Sequence, residues 1–416
     1  MICGVFAVAD AMIYAIDYAV VLGCGVFPIR WEFLVISKLD IAIIGAGIAG
    51  LTLAVALRKL GMNAVIHEQA PRFSRVGAAI QLTPNAVRVL RGLGIEEHLR
   101  GRSFMPDVGF NREWNTGEIT FLHPMGRKTE KRYGAPDLSM HRAELHNALA
   151  SLVPEQSIRF GQTLVGIDQT REGVRLDFGD GSNTVVDALV GADGIHSVVR
   201  AAIVGAEQLR VTGQVAYRAV YRTERLGREI DDRVKWWGPD RHIVSYKIDP
   251  RRDELYFIAS TPEPDFMTES WSAPGDLDVL LAAYEGFHPD ARLLLESAPS
   301  VHKWALIERE PLSGWTAERT ILIGDAAHPM LPYMAQGAGA SMEDAVVLAR
   351  CLEGKDRDTV DAAFKACDLN RRARTTEIQL RARQNRWMRS ATDTDTDLIY
   401  AYDAWNVPLK CTQHTT

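Results

Sequence analysis

Gly45-Ala46-Gly47-Ile48-Ala49-Gly50 follows an apolar run and opens a helical one, and Glu68 closes the next apolar run. In this pattern the first glycine makes a tight turn, the second lets the backbone approach a pyrophosphate, and the third lets a helix pack against a strand. The helix N-terminus meets phosphate charge, and the acid takes ribose hydroxyls. The chemistry implied is dinucleotide binding; the plain alternative is a glycine turn that only packs. A second concentration of small residues is "GDAAHPMLPYMAQGAGASMEDA", Gly324 to Ala345. One acid, Asp325, precedes two prolines, and Gly337, Ala338 and Gly339 then lead into a helical pattern. Such residues admit something flat or anionic against the backbone. In "RHIVSYKI", His242, Val244 and Tyr246 alternate, so they share one face of a strand and can line a pocket. An ordinary half-buried sheet face is the alternative there.

These residues need a scaffold. "LDIAIIGAGIAG" reads as a buried strand and a glycine turn, "LTLAVALRKLG" as a helix closed by Gly61, and "NAVIHE" as the next strand. That βαβ start calls for a parallel sheet with covered faces. Helical patterns follow at Pro84 to Leu93 and Arg142 to Val153, and a buried strand at Val185 to Gly194. From about Gly213 to Ser260 strands alternate without helices between them, joined by turn signals such as Gly238-Pro239-Asp240. After Trp304 the chain returns to a buried strand, "TILIGD", and helices run to about Arg389, with Ala345, Leu348, Ala349 and Leu352 forming one apolar stripe. The expected class is α/β: a discontinuous Rossmann-like domain (39–105, 135–210 and 300–389) interrupted by an antiparallel β-sheet domain (106–134 and 211–299). Residues 390–416 read as a tail, with "TDTDTD" (Thr392 to Asp397) as a solvated turn, and residues 1–38 as an extension outside the fold.

The glycine motif does not choose between NAD and FAD. "ILIGDAAHPMLPYMAQGAGASMEDA" does, because it resembles the second FAD motif of the class A flavoprotein aromatic monooxygenases, which share the 4-hydroxybenzoate hydroxylase fold. The resemblance covers about Leu39 to Asp403. It implies that Asp325 holds a ribitol hydroxyl and that the backbone of Gly337, Ala338 and Gly339 lies against the flavin ring. The positive end of the following helix then stabilises the reduced ring. "LVGADGIHSVVR" is similar to the family's Asp-Gly motif, so Asp193 would support the pyrophosphate; read alone it is a strand ending in an Asx turn. Arg142 matches an arginine that reaches the flavin. Leu164 matches a backbone contact to the adenine half, and Gln69 a second adenosine-side contact. The FAD-binding set is therefore Gly45, Gly47, Gly50, Glu68, Gln69, Arg142, Leu164, Asp193, Asp325, Gly337, Ala338 and Gly339. No second GxGxxG is present, so NADH or NADPH is expected to dock transiently as cosubstrate.

"KWWGPDRH", "HPMLPYMAQGA" and "YAYD" resemble the 6-hydroxynicotinate 3-monooxygenases within that family. The resemblance implies that His242 and Tyr246 orient and deprotonate a hydroxyaromatic acid, whose electron-rich ring attacks a C4a-hydroperoxyflavin. Three positions depart: Gln81 and Tyr333 stand where those enzymes have His, and Arg233 where they have Cys. Glutamine is no base near neutral pH, and Arg233 can bind a carboxylate. The expected catalytic set is Tyr246, His242, Gln81, Tyr333 and Arg233. The expected substrate is a small aromatic or pyridine carboxylic acid, hydroxylated with O2 and with or without loss of the carboxylate. A salicylate- or 3-hydroxybenzoate-type hydroxylase stays open, as does an oxygen-independent flavin reductase. Trp236-Trp237 does not fit the WxWxIP of flavin halogenases.

Composition excludes other classes. The 416 residues carry a net charge of −6, with 47% hydrophobic and 24% charged residues, and no basic stripe suits nucleic acid. Cys3, Cys24, Cys351, Cys367 and Cys411 are scattered without metal-ligand spacing, which fits a reducing, cytoplasmic setting and no metal. "AMIYAIDYAVVLGCGVFPI" (Ala11 to Ile29) is apolar, but Asp17, Gly23, Gly25 and Pro28 interrupt it and no basic residue precedes it, so a membrane anchor is not expected. A homodimer remains open.

Overall fold

The computed structural model describes residues 20–22, 25–27, 39–73, 78–205, 207, 209–268, 273–390 and 395–410. Val20–Leu22 and Gly25–Phe27 pair antiparallel in a unit of their own, Met1–Ser37. The rest of the apolar stretch read from Ala11 to Ile29 lies outside the described residues. Among the described residues no helix is long and apolar enough to cross a membrane.

In the second unit, Ile41–Ile44 is buried at every position because both of its faces are covered. It sits inside a six-stranded sheet ordered Thr316–Ala317, Thr320–Leu322, Ala188–Gly191, Ile41–Ile44, Val65–Glu68, Ile158–Phe160. The pairs are parallel except the outermost, Thr316–Ala317 with Thr320–Leu322. Helix Ile48–Lys59 leaves the first strand through the glycine turn and packs on helix Gly337–Leu352. Gly45 has φ +100°, and a Cβ there would stand 2.5 Å from the Ala192 carbonyl oxygen. A Cβ on Gly50 would stand 2.0 Å from the Gly45 carbonyl oxygen. Gly50→Ala is therefore expected to destabilise the fold by about 1–3 kcal/mol through overpacking, and to leave a purified protein that has lost its yellow colour. Thermal melting and the flavin spectrum check this, and unchanged values for both would count against it.

Helix Gly337–Leu352 was expected to carry one apolar stripe. It is instead buried all round from Gly339 to Ala349, Glu343 and Asp344 included. The reason is ionic. Arg371, fully buried on helix Val360–Gln384, lies 2.7 Å from Glu343 and 2.7 Å from Asp344. Arg374 also reaches Glu343, at 2.9 Å, and His328 meets Asp344 at 2.5 Å. Asp344 Oδ2 further accepts the Gly324 N–H at 3.1 Å, which ties this network to the turn that carries Asp325. Cys351 and Cys367 are buried beside it.

The second large sheet has eight strands: Pro274–Gly275, Val301–Glu308, Arg210–Arg222, Glu254–Pro262, His242–Lys247, Arg233–Trp237, Val108–Glu113 and Ile119–Pro124. It is antiparallel except where Arg233–Trp237 runs parallel to Val108–Glu113. Val301–Glu308 pairs with Arg210–Arg222, so this sheet extends past residue 299. Its outer face buries Tyr217, Trp236 and Phe257 under helices Leu277–Ala283 and Pro289–Glu296. The residues read as a tail do more than trail. Asp395 accepts the Leu398 N–H and caps helix Thr396–Tyr400, and Tyr400 is buried. The remainder of "TDTDTD" up to residue 394 lies outside the described residues.

Candidate active site

A cavity of about 560 Å³ lies between the glycine turn, the Asp325 turn and the inner face of the eight-stranded sheet. Gly47, Gln69, Gln81, Arg142, Asp193, Arg233, His242, Tyr246, Asp325, Tyr333, Gly337 and Ala338 all line it. Gly45, Gly50, Glu68, Leu164 and Gly339 do not. Gly45 and Gly50 shape the turn by the close approaches given above. Glu68 Oε2 accepts the Ala46 N–H at 2.8 Å and its Oε1 the Ala70 N–H at 2.8 Å, so the carboxylate braces the glycine loop. Leu164 is buried in the core of the parallel-sheet side, and Gly339 packs against Gln336 and Asn85. Asp193 accepts from Ser197 Oγ and from the Val198 and Val199 N–H groups, capping helix Val198–Val204.

The residues of one side fit FAD. A Cβ on Gly47 would meet nothing within 4 Å, which is the open approach that a pyrophosphate needs. From Ile321 to Pro329 every residue is buried except Asp325, which faces the cavity. Gly337 and Ala338 present the N-terminal end of a 16-residue helix to the same space. Arg200, which the sequence reading passed over, is 2% exposed and donates to the Ala326 and Ala327 carbonyls at 3.1 and 2.8 Å. It ties the Asp193 segment to the Asp325 turn.

The other side is a sheet face read in rows. Strand register sets Arg233 opposite Tyr246 and Tyr246 opposite Tyr256; Asn111, Lys235, Val244, Ile258 and Arg218 form the next row, and Trp237, His242 and Ser260 the third. His242 is buried, with Nδ1 2.8 Å from Ser260 Oγ and its ring 5.2 Å from that of Tyr333. Burial, with the nearby Lys235 charge, holds its pKa well below the usual imidazole value, so it is neutral near pH 7. Burial pushes the Tyr246 phenol well above its ordinary range, so it stays protonated and can donate. Tyr333 is pushed up to about 12 by burial. Arg233 is buried with Nη1 against His123 Nε2, and burial takes the His123 pKa down to about 2. Asp137, buried under Thr129 at 2.8 Å, is pushed up to about 6 by burial and supplies negative charge to Arg233.

Sequence reasoning missed Lys235, His123, Asp137, Tyr256 and Tyr400. Lys235 was within reach: it stands two residues from Arg233 on one strand and so shares its face. Tyr400 stands in "YAYD", which the resemblance singled out without giving it a role; its place at the cavity comes from the fold, which returns that segment there.

Taken together, a parallel-sheet dinucleotide cradle facing a β-sheet pocket defines an FAD-dependent hydroxylase. The comparisons agree. The family model described as FAD binding domain matches residues 38–378, so the chain belongs to that family. The chain is similar to 6-hydroxynicotinate 3-monooxygenase of Bordetella bronchiseptica, 38% identical over 376 residues, covering 90% of this chain and 97% of that protein. It is similar to 3-hydroxybenzoate 6-hydroxylase of Polaromonas naphthalenivorans, 35% identical over 365 residues, covering 84% and 87%. Among solved structures it is similar to Klebsiella pneumoniae HpxO complexed with FAD and uric acid, with a TM-score of 0.75 and 26% identity, covering 87% of this chain and 91% of that one. The enzyme is an FAD-dependent aromatic monooxygenase that takes NAD(P)H as cosubstrate.

Proposed function

We propose that the enzyme hydroxylates a small hydroxylated aromatic or N-heteroaromatic acid of the 6-hydroxynicotinate kind. The observation that carries this is the cavity floor: two buried basic side chains, Arg233 and Lys235, beside a neutral His242 and a protonated Tyr246. Basic groups taken out of water favour an anionic ligand, which stabilises their charged forms. In this reading residues 39–105, 135–210 and 300–389 carry the FAD and residues 106–134 and 211–299 the substrate, with strand Val301–Glu308 continuing the substrate sheet. Gly47, Gln69, Arg142, Asp193, Asp325, Gly337 and Ala338 hold the cofactor, with Gly45, Gly50, Glu68, Leu164 and Gly339 shaping its cradle. Bound and reduced by NAD(P)H, the flavin supplies the activated oxygen. His242 accepts the ring hydroxyl proton, and its Ser260 contact fixes the imidazole. Tyr246 donates a hydrogen bond to the ring oxygen. Gln81 and Tyr333 close the pocket walls and keep water out.

The test is oxygen-dependent NADH and NADPH oxidation by the yellow protein against hydroxylated pyridine and benzene acids, with product masses. Turnover of 6-hydroxynicotinate with gain of oxygen, with or without loss of the carboxylate, supports the reading. Turnover of benzenoid acids alone would replace it with the salicylate or 3-hydroxybenzoate type. No oxygen-linked turnover with any ring would sink it.

A further inference from the structure

We propose that Lys235, rather than Arg233, anchors the acidic group of the substrate, a statement that rests on the aromatic-acid reading above. An ammonium carries three donors. Lys235 is 5% exposed, its Nζ lies 3.5 Å from Asn385 Oδ1 and 3.6 Å over the centre of the Trp237 ring, and no ion pair among the described residues includes it. The charged groups that act on it are both cations, Arg233 and Arg389, and together with burial they push its pKa well down. Burial beside cations disfavours the charged amine, and an anion bound in the cavity would restore the ammonium and pair with it.

Arg233 is placed differently. Asp137 supplies it with countercharge, and its Nη1 is turned onto His123. That turn depends on Gly109, where a Cβ would stand 2.5 Å from Arg233 Nη1 and 2.2 Å from His123. The Arg233 guanidinium is thus engaged with the wall, while Lys235 faces the cavity with no ion pair among the described residues.

Register completes the geometry. Lys235 stands opposite Val244, and Val244 lies between His242 and Tyr246 on the same strand face. A ring anchored at Lys235 therefore crosses Val244 and Ile258 with His242 on one side and Tyr246 on the other. Asn385, at the left-handed cap of helix Val360–Gln384, reaches both Lys235 and His242, the latter at 3.4 Å, and so sets their spacing.

The experiment uses the FAD holoenzyme and reads ligand dissociation constants from the change in flavin absorbance. The probes are 6-hydroxynicotinate against 6-hydroxynicotinamide and 4-hydroxybenzoate against 4-hydroxybenzamide. The wild type is expected to prefer acid over amide by about 10–100-fold. Lys235→Met brings the ratio to within about threefold, Lys235→Arg restores a preference, and Arg233→Lys keeps it. The ratio is read within each variant, so a general loss of affinity or stability does not move it, and Lys235→Gln replaces Lys235→Met if the latter fails to hold FAD. An undiminished acid preference in Lys235→Met, or in Lys235→Gln where that replaces it, overturns the proposal, as does a wild type without one. Acid preference without oxygen-linked NAD(P)H oxidation would leave the anchor standing and sink the hydroxylase reading. Oxygen-linked turnover with acids bound no better than amides would do the reverse.

Discussion

Arg371→Met is expected to cost the fold about 3–5 kcal/mol at neutral pH, because it leaves buried carboxylates short of their countercharge. Arg371 is fully buried and lies between Glu343 and Asp344, themselves fully buried on the helix whose first turn faces the flavin side. Burial alone would raise both carboxyl pKa values. Arg374 and Arg371 around Glu343, and His328 and Arg371 around Asp344, outweigh burial and hold both below the usual carboxylate range. A group whose pKa is depressed by folding adds stability above its unfolded value and loses it as the pH falls through the folded value. The difference in melting temperature between wild type and Arg371→Met should therefore be largest near pH 7 and narrow below about pH 4. Since Asp344 also holds the Gly324 N–H, FAD retention should fall with stability. A constant difference across that range would show that lost packing, not charge, is responsible.

His242→Ala should lower kcat by about 10²–10⁴-fold while leaving FAD content unchanged, the scale of a lost proton acceptor. The imidazole touches no residue of the glycine turn or the Asp325 turn among the contacts described above; its partners are Ser260, Asn385, Trp237 and Tyr333. A folded, yellow, slow variant is thus the expected phenotype. The pH profile separates this role from others. With its pKa held well below 6.5, His242 should place no acidic limb near neutrality. The group expected to titrate near pH 6 is Asp137 beside Arg233. A limb there should vanish in Asp137→Asn and survive in Tyr246→Phe. A His242→Ala rate within about threefold of wild type would remove His242 from the proton-transfer role.

The flavin half was legible because its signals are local. A glycine turn with positive φ, a helix started by small residues and an acid after a buried strand each occupy a few consecutive residues. Even there, carboxylates were assigned by motif to the cofactor, whereas Glu68 and Asp193 also hold backbone N–H groups that brace the cradle. The helix after Ala338 looked half-exposed because a stripe pattern cannot reveal that its charged residues meet arginines about thirty residues further along a second helix.

What the sequence by itself determined is the α/β class, the FAD motifs and the alternation that puts His242 with Tyr246 and Arg233 with Lys235 on shared faces. Period-two geometry and glycine sterics need no partner to be read. What only the tertiary structure decided is which faces meet. Strand register brought Arg233 opposite Tyr246 and Lys235 opposite Val244. Long-range return of the chain added Asn385 and Tyr400, and burial set which groups stay neutral and which basic side chain has no ion pair among the described residues. Charge states and pairings of this kind arise from desolvation and from contacts between residues distant in the chain, and no local pattern encodes them.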